Sequence, residues 1–229
     1  MIVLFGLLLT VGVYVLSKRL YRQFGSIALS PLIICPVVLI GLLVLLDMPF
    51  EQYNAGGSFL SFMLQPATVA LAVPMYKYRD VLKKYAPEII IGVGGGAIVA
   101  IITSVGLAQH LGLSQQLAES LAPRSITTPM AISVSEMLGG DPAITAVFVI
   151  MTGVSGVVLT SLLLKYTQLE RPITKGMLYG IVAHGTGTAR AYEAGPLEGA
   201  IASLAMIFMG IVTTVLAPVL VPVCFSLFG

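Results

Sequence analysis

Long stretches of this chain carry no charged side chain, among them 23–46, 52–76, 142–164 and 199–229. About 20 apolar residues cross a bilayer as a helix, so stretches of this length constrain the fold more than any local motif. Charged residues make up 10% of the sequence and hydrophobic ones 57%, where a soluble domain carries about 25% charge. An ordinary water-soluble enzyme and a disordered chain are both excluded. The pattern predicts an all-α polytopic membrane protein with essentially no soluble domain. A net charge of +2 is too small to point to a nucleic-acid partner. Cys35 and Cys224 lie in separate apolar segments without a CxxC spacing, so they read as buried thiols and not as disulfide or metal ligands. The N-terminus is apolar from Ile2 with no basic region before it, which reads as a retained first helix.

The runs predict six membrane helices, over about 2–16, 27–46, 57–75, 89–108, 143–164 and 199–226. Ten of the twelve Lys and Arg residues fall in three intervening loops, 17–26, 76–88 and 165–175. Cytoplasmic loops carry the basic excess. These loops should therefore face the cytoplasm, placing the chain in the cell inner (cytoplasmic) membrane with its N-terminus outside. Helix 4 then leaves the cytoplasm and helix 5 returns to it. The polar stretch 109–141 between them must cross an even number of times, and it is too short for two full spans. A hairpin re-entering from outside meets both demands.

An internal repeat supports a second hairpin. Residues 143–159 align without gaps on 200–216, with six of 17 positions identical, Gly153 and Gly210 among them. Each copy follows a polar stretch broken by Gly, Thr or Pro and carrying one Arg: PRSITTP at 123–129 and HGTGTAR at 184–190. Two copies of hairpin plus helix in opposite orientation would form an inverted repeat, an architecture of many secondary transporters. The second hairpin is expected over 176–198.

Arg124 and Arg190 are the basic residues left outside the three loops. Arginine at mid-membrane costs roughly 2.5–3.5 kcal/mol on insertion scales, so each marks a candidate site. The plain alternative is local pairing: Arg190 with Glu193, and Arg124 with Glu119 or Glu136. The neighbouring residues suit an anion. Thr127 or Thr128 can cap a half-helix with Pro129 at its first position, and Thr186 or Thr188 can cap another after the break at Gly185 and Gly187. Half-helix starts offer free N–H groups and the positive end of a dipole. Two such starts facing each other, with hydroxyls including Ser125 and one or two Arg, would hold a small carboxylate. His184 reads as a satisfied core residue, a substrate donor or a proton-coupling group. Glu193 is the candidate ion-coupling acid, and Gln65, before Pro66 in helix 3, a candidate wall of the site.

Other patterns carry less. GVGGG at 92–96 has no preceding strand and no GK[ST], and is explained by close helix packing. GTGTAR lacks the third glycine and the strand of a dinucleotide fingerprint. No nucleophile–base pair, catalytic carboxylate pair or metal-ligand cluster is visible, so neither enzyme activity, a cofactor nor a metal is expected.

The stretches LQPATVALAVPMY (64–76), LAPRSITTPMAI (121–132), GGDPAITAVFVIMTG (139–153) and HGTGTARAYEAGPLEGAIASLAM (184–206) resemble the LrgB/CidB family, which includes YohK-like proteins. The resemblance covers nearly the whole chain. It departs in one place, where AHGTGTARA stands for the family's frequent SHGIGTARA. Two functions are implied. In one, members are antiholin-like regulators of murein hydrolase export and autolysis, acting with a small LrgA/CidA-type membrane partner. In the other, drawn from the plastid glycolate/glycerate transporter and bacterial pyruvate-uptake relatives, they carry small monocarboxylates. The residues favour the second. Arg124 and Arg190 would neutralise the substrate, Thr127, Thr128, Thr186 and Thr188 would bind its oxygens, and His184 would donate a hydrogen bond. Residues 109–229 would move as a transport unit against a scaffold of residues 1–108, within a homodimer.

Overall fold

The computed structural model describes residues 2–24 and 29–228, and leaves the side chains of Ile2, Val3, Leu4, Leu32, Leu64, Gln65, Ala67 and Thr68 outside the description. The described chain is helical, with no strand among these residues: α1 (Ile2–Phe24), α2 (Pro31–Leu45), α3 (Phe50–Ala70), α4 (Ala72–Lys77), α5 (Arg79–Lys84), α6 (Ala86–His110), α7 (Gln115–Leu121), α8 (Thr128–Leu138), α9 (Pro142–Thr167), α10 (Pro172–Ala194) and α11 (Pro196–Phe228). Three of the described helices, α6, α9 and α11, are long and apolar enough to cross a membrane. Their outer faces carry large apolar side chains such as Ile91, Leu159 and Val215, as a lipid-facing surface requires.

Several expected boundaries shift. α1 continues through Lys18, Arg19 and Arg22 to Phe24, so most of the first expected loop is helix. Lys and Arg are good helix formers, and cations favour a helix C-terminus. The expected start of helix 2 at 27 lies outside the described residues, and the described helix has 15 residues from Pro31. The basic stretch 76–88 is mostly helical, in α4, α5 and the start of α6. The stretch 109–141 holds the two short helices α7 and α8. The stretch 176–198 holds most of α10, Pro172–Ala194, whose backbone breaks at Ala183 and His184.

The chain divides into two compact units between Ala72 and Val73. In the first, α1 packs on α3 and α2. Close approach is made by small residues: a Cβ at Gly6 would stand 2.5 Å from the Tyr53 carbonyl oxygen. One turn on, the Thr10 and Tyr53 hydroxyls meet at 2.8 Å.

In the second unit, α11 packs along α10 and α6, and α9 along α10 and α8. The core is a continuous set of buried residues including Ile89, Val93, Ile101, Ile126, Val149, Ile201 and Met209. The GVGGG run is used on one face only. Gly92 and Gly96 receive Met177 and Ile181 of α10, whereas Gly94 and Gly95 have no such neighbour. The helix ends that place the hairpins have ordinary causes. Ser114 caps α7 by accepting from Leu117 N–H at 3.4 Å. Asp141 caps α9 by accepting from Ile144 N–H at 2.9 Å, with Pro142 following it. Gly139, left-handed at φ 96°, ends α8; its N–H and that of Gly140 reach the Glu136 and Ser135 carbonyls.

Candidate functional site

Both hairpins are tied by side-chain hydroxyls to the helix that follows. In hairpin 1, formed by α7 and α8, Ser120 Oγ accepts from the Asp141 N–H at 2.7 Å. The Thr145 and Ser135 hydroxyls lie 2.6 Å apart in full burial. In hairpin 2, α10 folds back on itself. Its backbone leaves helical geometry at Ala183 (φ −126°, ψ 16°) and His184 (φ 39°, ψ −124°). The second half returns so closely that a Cβ at Gly187 would collide with the Tyr179 carbonyl. At its base, Tyr192 and Ser203 of α11 share a hydroxyl contact at 3.2 Å.

The tips of the hairpins approach the middle of α9 and α11. Between α7 and α8 the chain turns through residues 122–127, with Ala122, Ser125 and Ile126 buried. From this turn Arg124 reaches two helix hydroxyls: its Nε donates to Ser104 Oγ on α6 at 2.8 Å, and Nη1 to Thr152 Oγ1 on α9 at 3.5 Å. Ser104 gives its own proton to the Ala100 carbonyl, leaving its lone pairs for the guanidinium. Arg124 is half-buried, and neither Glu119 nor Glu136 pairs with it: Glu119 accepts from Gln115 Nε2 at 2.7 Å. Among the described residues no carboxylate lies within ion-pair distance of Arg124.

The tip of hairpin 2 lies against the next residues of α9. His184, 6% exposed, sets its Nε2 3.1 Å from the Val149 carbonyl oxygen. A Cβ at position 153 would stand 3.0 Å from His184 Cε1 and 2.8 Å from Thr186 Oγ1, so the tip fits because residue 153 is glycine. The aligned glycine of the other repeat copy plays the reciprocal part: Gly210 of α11 receives the Met130 side chain from the first turn of α8. Each repeat helix thus accepts the hairpin of the opposite copy at the same aligned position.

The other expected site residues fall as follows. Thr127 stands at the N-cap of α8 in extended geometry, without a side-chain capping bond. The helix begins at Thr128, so Pro129 is its second residue and not its first. Thr188 does not cap a half-helix. The break lies one turn earlier, at 183–184, and its Oγ1 donates instead to the His184 carbonyl at 2.9 Å, inside the helix. Gly185 and Thr186 already lie in the returning half. Arg190 pairs with Glu193 at 2.5 Å, with both side chains partly exposed. That is the local pairing set out above as the alternative, and Arg190 has further partners besides. The Gln65 side chain lies outside the described residues. The sequence reading did not single out Ser104, Thr152 or Val149, because isolated hydroxyls and apolar residues in apolar helices carry no motif. The signal for this part of α9 was the repeat itself, through the identity at Gly153 and Gly210. Among the described residues no three His, Cys, Asp or Glu side chains gather as a metal site would need.

The LrgB-like family model matches residues 10–223. The chain is 49% identical to the Bacillus subtilis protein YwbG over 215 residues, covering 94% of this chain and 96% of that one. It is 36% identical to Bacillus cereus and Bacillus anthracis proteins named antiholin-like protein LrgB, over 219 residues and 95% of both chains. No solved structure matches it. The broken hairpins and their arginine thus sit on a chain that belongs to the LrgB-like family.

Proposed function

We propose that this protein is a membrane carrier for small monocarboxylates of the pyruvate, glycolate or glycerate type. The observation that supports this most is Arg124. A guanidinium held half-buried by two neutral hydroxyls, with no carboxylate among the described residues to balance it, leaves an attraction for a small anion in a low-dielectric setting. The half-helix start at Thr128 adds N–H groups and a favourable dipole end. Backbone broken at membrane depth is tolerated only where protein or a water-filled cavity surrounds it, and the tips of both hairpins are packed in that way. The reciprocal seating at Gly153 and Gly210 supports an inverted repeat, with each hairpin re-entering the membrane from one side. In this reading six spans and two hairpins form each protomer of a homodimer in the cytoplasmic membrane. The unit that moves comprises α7–α11, and Ser104 marks where α6 of the scaffold meets it.

A second reading is favoured by a different observation, and more directly: the names of the relatives. Under it the chain is an antiholin-like regulator of murein hydrolase export and autolysis, and the hairpins form a surface for a small holin-like membrane partner. Uptake of labelled pyruvate and glycolate into proteoliposomes separates the two. The carrier reading expects saturable uptake whose KM rises at least about tenfold in Arg124→Ala at normal folding. Full uptake in the Arg124→Ala/Arg190→Ala double variant would sink it. Leakage of an unrelated dye without saturable uptake would favour a pore-related role.

A further inference from the structure

We propose that His184 is a positioning residue, the pin that docks the tip of hairpin 2 onto α9, and not a ligand of the transported anion. The role deepens the carrier reading and rests on it, but docking can be measured with no substrate present.

Three features converge on this residue. Its ring is committed to the protein: a carbonyl only accepts, so the Nε2 facing Val149 must carry the proton and donate. Its backbone stands at φ 39°, ψ −124°, a combination that is strained for any residue with a Cβ. The ring and the Thr186 hydroxyl then lie across Gly153, where no larger residue leaves them room. The neighbouring residue, Thr152, receives Arg124 from hairpin 1. One dipeptide of α9 is therefore the floor under both tips. Docking of His184 fixes the register at which Thr152 meets the arginine, and an undocked tip would leave the anion site without one wall.

The backbone geometry makes an unusual prediction. In an ordinary helix, alanine is tolerated better than glycine. At a positive φ the order reverses, because glycine relaxes the break and alanine cannot. Gly185 is a suitable reporter. It is exposed, and a Cβ there has only Met206 Sδ nearby, at 3.9 Å.

The experiment uses the full chain in liposomes, with Cys35→Ala, Cys224→Ala and Gly185→Cys, labelled by a small water-soluble thiol reagent without carboxylate. His184→Gln, whose amide reaches about as far as Nε2, should label at close to the parent rate. His184→Gly should label faster. His184→Ala should label fastest, about tenfold over the parent, because the strain of the break remains while the hydrogen bond and ring packing that hold it in place are lost. Gly153→Ala, which evicts the ring, should match His184→Ala. Should that variant not fold, the His184 series alone decides. Equal labelling of parent and His184→Ala would overturn the pin. Faster labelling of His184→Gly than of His184→Ala would overturn the strained break. Labelling of His184→Gln at the His184→Ala rate would overturn the Nε2 bond. Adding pyruvate to the same proteins tests the link to the site: it should slow labelling in the parent and in His184→Gln. If the docking series holds and pyruvate slows nothing, the carrier reading fails and the pin stands.

Discussion

Arg124 and Arg190 each stand on a helical hairpin fixed by hydroxyls to the helix that follows it, yet the two side chains are held differently. Arg124 lies in a buried turn and leans on Ser104 and Thr152, which accept from two of its N–H groups without cancelling its charge. Arg190 lies on the returning half of α10, and its charge meets Glu193 one turn on. The sequence places the two in parallel, each in a polar break before a repeat helix. The structure distinguishes them by what stands opposite. A half-buried cation with only neutral hydroxyl partners invites an anion; one with a carboxylate neighbour does not need one. The hairpins divide the work: the first presents charge, and the second presents shape through His184 and Thr186.

The largest effect should come from Arg124→Ala. Charge-assisted hydrogen bonds contribute roughly 1.5–3 kcal/mol, so the KM for pyruvate uptake should rise at least about tenfold. Arg190→Ala should cost only a few-fold. Equal losses would break the distinction between the two arginines. Next is the fold-back of hairpin 2. Gly187→Ala drives a methyl into the Tyr179 carbonyl and should destabilise the protein by about 1–3 kcal/mol, as overpacking does. Gly94→Ala meets nothing and should be neutral or slightly stabilising, by up to about 1 kcal/mol. Thermal unfolding of both variants in one detergent checks the opposite signs.

The two hydroxyl ties should differ as well. Ser120→Ala leaves the Asp141 N–H without its acceptor and should cost about 1–3 kcal/mol, whereas Tyr192→Phe removes one hydroxyl contact and should cost about 1 kcal/mol. The same melting measurement orders them. The smallest effect is expected for Glu193→Gln. The pair it breaks is partly exposed, and such pairs contribute at most about 1 kcal/mol. A loss of uptake comparable to that in Arg124→Ala would make Glu193 part of the site.

Much of the second unit was legible from the residues. Long apolar stretches located α6, α9 and α11, the three described helices long and apolar enough to cross a membrane. What eluded the sequence follows from how the information is carried. Lys18, Arg19 and Arg22 suggest a loop by charge but extend α1 by propensity. Thr186 and Thr188 look like caps, but the break falls at Ala183–His184, where no residue preference announces it; a histidine at positive φ is imposed by its surroundings. Ser104 and Thr152 are single hydroxyls in apolar helices, and only tertiary packing brings them to Arg124. Local pairing was foreseen for both arginines as an alternative. It holds for Arg190 because Glu193 lies one turn away on the same helix face. It fails for Arg124 because the turn directs the side chain toward α6 and α9.

The central claim is that Arg124 holds a small carboxylate. Its most direct test is the unfolding temperature of the purified protein across a series of pyruvate, glycolate, glycerate and acetate concentrations. A ligand that binds only the folded form raises stability with the logarithm of its concentration. We expect such a rise for at least one monocarboxylate in the parent protein, its loss in Arg124→Ala and its retention in Arg190→Ala. A rise of the same size in parent and Arg124→Ala, or none in either for any of the four acids, would contradict the account.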